Sequence, residues 1–158
     1  MEINISQLEK HINIFSFLLC GIMVVYVVPD TNFLIYSSKE GINIDYEFGR
    51  VITDNYEVVV LSCVYNELKK LYNKLKGKDK FTIKLLLSLI DKNYKIVNYN
   101  KGTYADDIIS NYATDLINNG NKVIVCTNDK ILKKKLLDKG IPTMVVRQKR
   151  YFEVYNYY

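Results

Sequence analysis

Val24-Val25-Tyr26-Val27-Val28-Pro29-Asp30-Thr31-Asn32 is a run of β-branched and aromatic residues that stops at a proline and a polar turn. Apolar at every position, without the alternation of a half-exposed strand, it reads as a strand buried on both faces. Such strands belong to parallel sheets covered by helices. The same pattern recurs along the chain: Glu57–Leu61, Lys95–Val97, Lys122–Cys126 and Thr143–Val146 read as strands. Helical periodicity is expected between them at about 44–54, 63–76, 79–92, 105–118 and 129–139. Gly77, Gly120 and Gly140-Ile141-Pro142 stand in helix-stopping positions. Strand and helix in alternation predict an α/β domain built on a parallel sheet. The tyrosine-rich tail from Tyr151 to Tyr158 reads either as a short final strand or as an aromatic flap.

At 158 residues the chain has the size of one domain with a real core. Met23 lies just before the first strand, so residues 1–22 are expected to be a leader or a mis-annotated start, and 23–158 the domain. Ile12 to Val28 is apolar enough to touch the lower limit of a membrane span. Its β-branched second half and the Pro29-Asp30 stop favour a strand instead, and the signals of a cleaved secretory segment are missing. No membrane association is expected.

The chain has three cysteines, Cys20, Cys63 and Cys126, with no Cys-x-x-Cys pair, which excludes a disulfide scaffold or zinc ribbon and fits a reducing cytoplasm. His11 is the one histidine, too few for a Ser-His-Asp triad or a histidine metal site. Any catalysis must use carboxylates or lysines. The formal net charge is +5, unevenly spread. Residues 66–84 carry seven lysines against Glu67 and Asp79, and residues 130–150 carry eight Lys/Arg against Asp138. Two basic stretches on an otherwise acidic chain point to a polyanion partner, with Lys133, Lys134 and Lys135 as candidate phosphate contacts.

The acids follow the strands. Asp30 follows the first strand directly, Asp129 follows Lys122–Cys126 after Thr127-Asn128, and Glu67 lies in the first turns of the helix after Glu57–Leu61. Asp106 and Asp107 open the helix that precedes Lys122–Cys126. In an open parallel sheet these positions share the edge at the carboxyl ends of the strands. Each acid alone is explained by ordinary helix capping. Gathered without arginine partners they repel, a cost that a divalent cation normally offsets, and an all-oxygen set favours Mg²⁺ or Mn²⁺ over zinc. On a helical wheel Asp106 lies roughly 75° from the centre of the apolar face and Asp107 roughly 175° from it, so Asp106 is expected at the crevice and Asp107 in solvent.

Val28-Pro29-Asp30-Thr31-Asn32, Asn66-Glu67-Leu68, Ala105-Asp106-Asp107-Ile108-Ile109 with Ala113, and Thr127-Asn128-Asp129 together resemble the PIN-domain nucleases in identity, order and spacing over about residues 24–150. With Gly77-Lys78-Asp79-Lys80 and the ending Gly140-Ile141-Pro142 to Arg147-Gln148-Lys149, the chain looks most like an archaeal branch related to ribosomal-RNA-processing PIN proteins, with VapC-type toxins as cousins. The resemblance implies a three-layer α/β/α fold on a five-stranded parallel sheet of order 3-2-1-4-5. It implies an endoribonuclease that cuts single-stranded or loop RNA with Mg²⁺ or Mn²⁺, leaving a 5′-phosphate and a 3′-hydroxyl. By motif, Asp30, Glu67, Asp106 and Asp129 are the catalytic acids, with Asp30, Asp106 and Asp129 on the metal, while Asn32, Thr127, Arg147 and Lys149 face the substrate. As protein partners it leaves open a second copy of the chain, an antitoxin or a ribosome-assembly factor.

Other classes share parts of this pattern. A haloacid-dehalogenase-like phosphotransferase wants a second Asp where Asn32 stands, and a receiver domain wants an acidic pair that the amino-terminal segment does not supply. A non-cleaving RNA-binding factor that kept the fold, and a toxin covered by its antitoxin, remain as alternatives.

Overall fold

The computed structural model describes residues 23–157. The leader assigned to 1–22, and the first half of the apolar stretch 12–28, lie outside the described residues. Its second half is strand β1 (Val25–Pro29), which pairs in parallel with β2 (Tyr56–Leu61) on one side and β4 (Lys122–Cys126) on the other. Strand β3 (Lys95–Val97) extends the sheet beyond β2, and β5 (Thr143–Arg147) extends it beyond β4, both in parallel. Val25, Val27, Val28, Val59, Val60, Ile124 and Val125 are almost wholly buried, as the absence of alternation requires.

The order is β3-β2-β1-β4-β5-β6. The first five strands are the parallel sheet that was expected. The sixth, β6 (Tyr151–Tyr155), adds an antiparallel edge, so the tail is a strand and not a flap. A turn with two left-handed residues, Gln148 and Lys149, joins β5 to β6, closed by Arg150 N–H on the Arg147 carbonyl. Without the Asn-Gly or Asp-Gly that such turns prefer, the hairpin leaves no local signature. Tertiary contacts hold it instead. Phe152 packs against Phe33 and Phe48, with centroids at 4.8 Å and 5.4 Å. Its N–H donates to Glu47 at 2.9 Å, and Arg50, itself paired to Glu47, donates to the Phe152 carbonyl at 2.9 Å.

Six helices complete the described residues: α1 (Thr31–Lys39), α2 (Ile44–Val51), α3 (Ser62–Lys74), α4 (Gly77–Asn93), α5 (Ala105–Asn118) and α6 (Lys130–Asp138). The connections leaving β1 and β2 stack α1 to α4 together, and those running back through β4 to β5 bring α5 against α6. These are the outer layers of an α/β/α sandwich. Helix α1 was not expected. Its residues, Thr31-Asn32-Phe33-Leu34-Ile35-Tyr36-Ser37-Ser38, are mostly weak helix formers. It forms because Asp30 caps it and because Phe33, Leu34 and Ser37 are buried.

Candidate active site

Asp30 sits where β1 ends, with its backbone N–H on the Cys126 carbonyl at 2.9 Å. Its Oδ1 caps α1 by accepting from Phe33 N–H at 2.7 Å. The side chain is buried beside the fully buried Thr127. Burial pushes its carboxyl up to about 6, a rise opposed by hydrogen bonds from Thr127 and Phe33 and reinforced by the charges of Asp106 and Asp129. Thr127 also accepts from Asp129 N–H at 3.1 Å, so one threonine joins the two strand-end acids. Asp129 caps α6 through Leu132 N–H at 2.7 Å and is exposed.

Asp106 is in the first turn of α5, exposed at the same rim. Partial desolvation and the charges of Asp129, Asp107 and Glu67 raise its pKa, while Lys135 lowers it. Glu67, in the second turn of α3, accepts from the Thr31 hydroxyl at 2.7 Å. The topology thus brings Asp30, Glu67, Asp106 and Asp129 to one edge, close enough for their charges to interact. Asn32 is exposed in the first turn of α1 beside them. Thr31 was absent from the expected set; its signal was its place directly after the capping acid.

The basic residues are divided. Lys134 and Lys149 are exposed. Lys133 lies over the Tyr155 ring at 4.8 Å, and Arg147 pairs with Glu153 at 3.1 Å while its guanidinium stacks over the same ring at 5.3 Å. Lys135 is engaged: its ammonium sits 2.7 Å from Asp107. Asp107 is therefore not a free solvent charge, because α6 supplies a cation that a single-helix wheel cannot show.

Two exposed apolar groups flank the acids, Tyr104 just before α5 and Ile131 just after Asp129, at 73% and 80% exposure. The loop bearing Tyr104 is held firmly. Asn111 donates to the Lys101 carbonyl at 2.7 Å and Tyr99 to Asp115 at 2.6 Å. Gly102, at φ +142°, lies so close that a Cβ there would stand 3.0 Å from Ile108 N.

The donors are all oxygen, which suits Mg²⁺ or Mn²⁺. Among the described residues no three acidic, histidine or cysteine side chains stand close enough to enclose an ion as they are placed. They match such an ion in type and in charge.

A family model described as "PIN like domain" matches residues 27–149. The chain belongs to the PIN-domain family. Ribonuclease VapC4 of Methanocaldococcus jannaschii is 51% identical to it over 132 residues, 82% of this chain and 96% of that protein. The PIN domain endonuclease Utp24 shares the fold at TM-score 0.65 and 26% identity, over 84% of this chain and 92% of the other. As a PIN domain of this kinship the protein is a nuclease, a hydrolase whose acids lie at the carboxyl edge of the sheet. Among the described residues no helix is long and apolar enough to cross a membrane.

Proposed function

We propose that this PIN domain is a Mg²⁺- or Mn²⁺-dependent endoribonuclease that hydrolyses phosphodiester bonds in single-stranded or loop RNA. The observation that carries the reading is Asp30, a carboxyl 8% exposed whose ionised form is opposed by burial and by two neighbouring acids. A divalent cation is the partner that offsets such a cost. Asp30, Asp106 and Asp129 would hold it, with Asp30 fixed in place by Thr127 and Phe33. When bound, the ion would polarise a phosphate oxygen and acidify an attacking water, chemistry for which the described residues hold no histidine. Glu67, steadied by Thr31, would orient that water. Asn32 lines the rim, Thr127, expected there too, is fully buried and serves the site by holding Asp30 and Asp129 from beneath, and Lys133, Lys134, Arg147 and Lys149 offer positive charge to the flanking phosphates. Tyr104 offers a stacking surface for a base.

The test is cleavage of an RNA containing single-stranded loops, with Mn²⁺, by the wild type and by Asp30→Asn. Cleavage should be lost in the variant and in EDTA, and Zn²⁺ should substitute poorly. Equal cleavage by Asp30→Asn would overturn the metal-site reading.

Two biological roles fit such an enzyme, ribosomal RNA processing and a toxin ribonuclease restrained by an antitoxin. The 51% identity to Ribonuclease VapC4 favours the toxin. Induced expression in a bacterial host distinguishes them: growth arrest that needs Asp30 supports the toxin, and unimpaired growth supports processing. Among the described residues Cys63 and Cys126 form no disulfide, which favours the reducing cytoplasm as the site of action.

A further inference from the structure

We infer that the Asp107–Lys135 ion pair is a positioning strut that sets Asp106 against Asp129, so that Lys135 serves the acid site through Asp107 rather than by touching RNA. This rests on the metal-site reading above. Asp107 is the next residue after Asp106 in the first turn of α5, and Lys135 lies on α6, the helix that Asp129 caps. The 2.7 Å contact between them therefore ties the start of α5, which carries Asp106, to the last turn of α6, the helix whose start carries Asp129. One turn further along α5, the buried Ser110 accepts at 3.1 Å from Lys139, the residue that caps the end of α6. The two contacts form a short ladder along the α5–α6 seam.

The site supplies the reason for a strut. Helix α5 has no side-chain N-cap, since Tyr104 occupies that position, and its first turn carries two acids. Asp129, Asp107 and Glu67 all repel the Asp106 carboxylate, and Lys135 relieves it. Without Lys135 that repulsion acts to spread the start of α5 away from α6. The paired side chains are 41% and 42% exposed. A pair so exposed adds little to stability, yet a displacement of ~1 Å in a catalytic group costs on the order of 100-fold in rate. Loss of the strut should therefore appear in metal binding and turnover, not in the fold.

The experiment compares the wild type with Lys135→Met, Asp107→Asn, the double variant and Lys135→Arg. It measures the Mn²⁺-induced rise in Tm without RNA, the half-activating Mn²⁺ concentration, and KM and the salt slope for a single-stranded oligoribonucleotide. Either single variant should raise the half-activating concentration about tenfold and shrink the Mn²⁺-induced Tm rise. The double variant should be no worse than either single one, Lys135→Arg should recover the wild-type values, and KM should hold. Unchanged Mn²⁺ dependence in the variants would overturn the strut. So would a higher KM with a flatter salt slope in Lys135→Met alone, which would make Lys135 a phosphate contact. A wild type that neither binds Mn²⁺ nor is activated by it would overturn the metal-site reading and the strut with it.

Discussion

Thr31 donates its hydroxyl hydrogen to Glu67 Oε2 at 2.7 Å, joining the corner after β1 to the second turn of α3. The bond is the one side-chain hydrogen bond found for Glu67 among the described residues, and Thr31 itself is buried. Thr31→Val keeps the shape and removes the bond, at a cost to stability of about 1 kcal/mol. Cleavage should fall about tenfold or more, mainly in kcat, while Thr31→Ser keeps most of it. If valine and serine variants cleave alike, Glu67 does not depend on Thr31 for its orientation.

Asp30 makes a pH-dependent contribution to stability. Its folded pKa of about 6 lies above the ~3.9 of an unfolded aspartate, so the folded state binds the proton more tightly. The stabilisation is fully present below pH ~4 and is lost as the pH rises through about 6, on the order of 3 kcal/mol for a shift of ~2 units. In metal-free buffer, urea unfolding should show the wild type weakening relative to Asp30→Asn across that window and level above it. Mn²⁺ at pH 7 should recover part of the loss. A difference between the two proteins that does not vary with pH would contradict the assignment.

Glu47 acts in the opposite direction. Hydrogen bonding to Arg50 is the main cause that lowers its pKa, so its contribution is present above the unfolded value of ~4.3 and is lost on acidification. Glu47→Ala also leaves the Phe152 N–H without its acceptor, a loss of about 1–3 kcal/mol. Hydrogen exchange should show β6 opening first, before β1 or β4. Uniform loss of protection across the sheet would mean that Glu47 does not specifically anchor β6.

Electrostatic and stacking contributions to RNA binding should separate by salt. Neutralising the exposed Lys134 and Lys149 should flatten the dependence of log affinity on log salt by roughly 0.7 for each phosphate that is no longer neutralised. Tyr104→Ala should weaken binding by ~1–3 kcal/mol with the slope unchanged, and Tyr104→Phe should bind normally. Fluorescence anisotropy with an Asp30→Asn background, which holds RNA uncut, reads both effects. A slope change in Tyr104→Ala, or none in the lysine variant, would reverse the two assignments.

The sequence by itself determined the sheet and the edge where the acids stand. A strand such as Val25–Pro29 must be buried on both faces, and parallel strands all end at one edge, so residues just after them are delivered together whatever the details of packing. Short-range rules are enough for that. They were not enough for α1, whose weak helix formers are held by the Asp30 cap and by burial of Phe33 and Leu34. Nor could they show β6, because the atoms that hold Phe152 belong to Glu47 and Arg50, more than a hundred residues earlier in the chain. Asp107 makes the same point inside the site. A helical wheel places a residue relative to its own helix, but the partner that decides its role, Lys135, comes from α6, 28 residues away. Periodicity is local, whereas the charge a side chain meets depends on which helices the sheet sets side by side, and only the tertiary structure decides that.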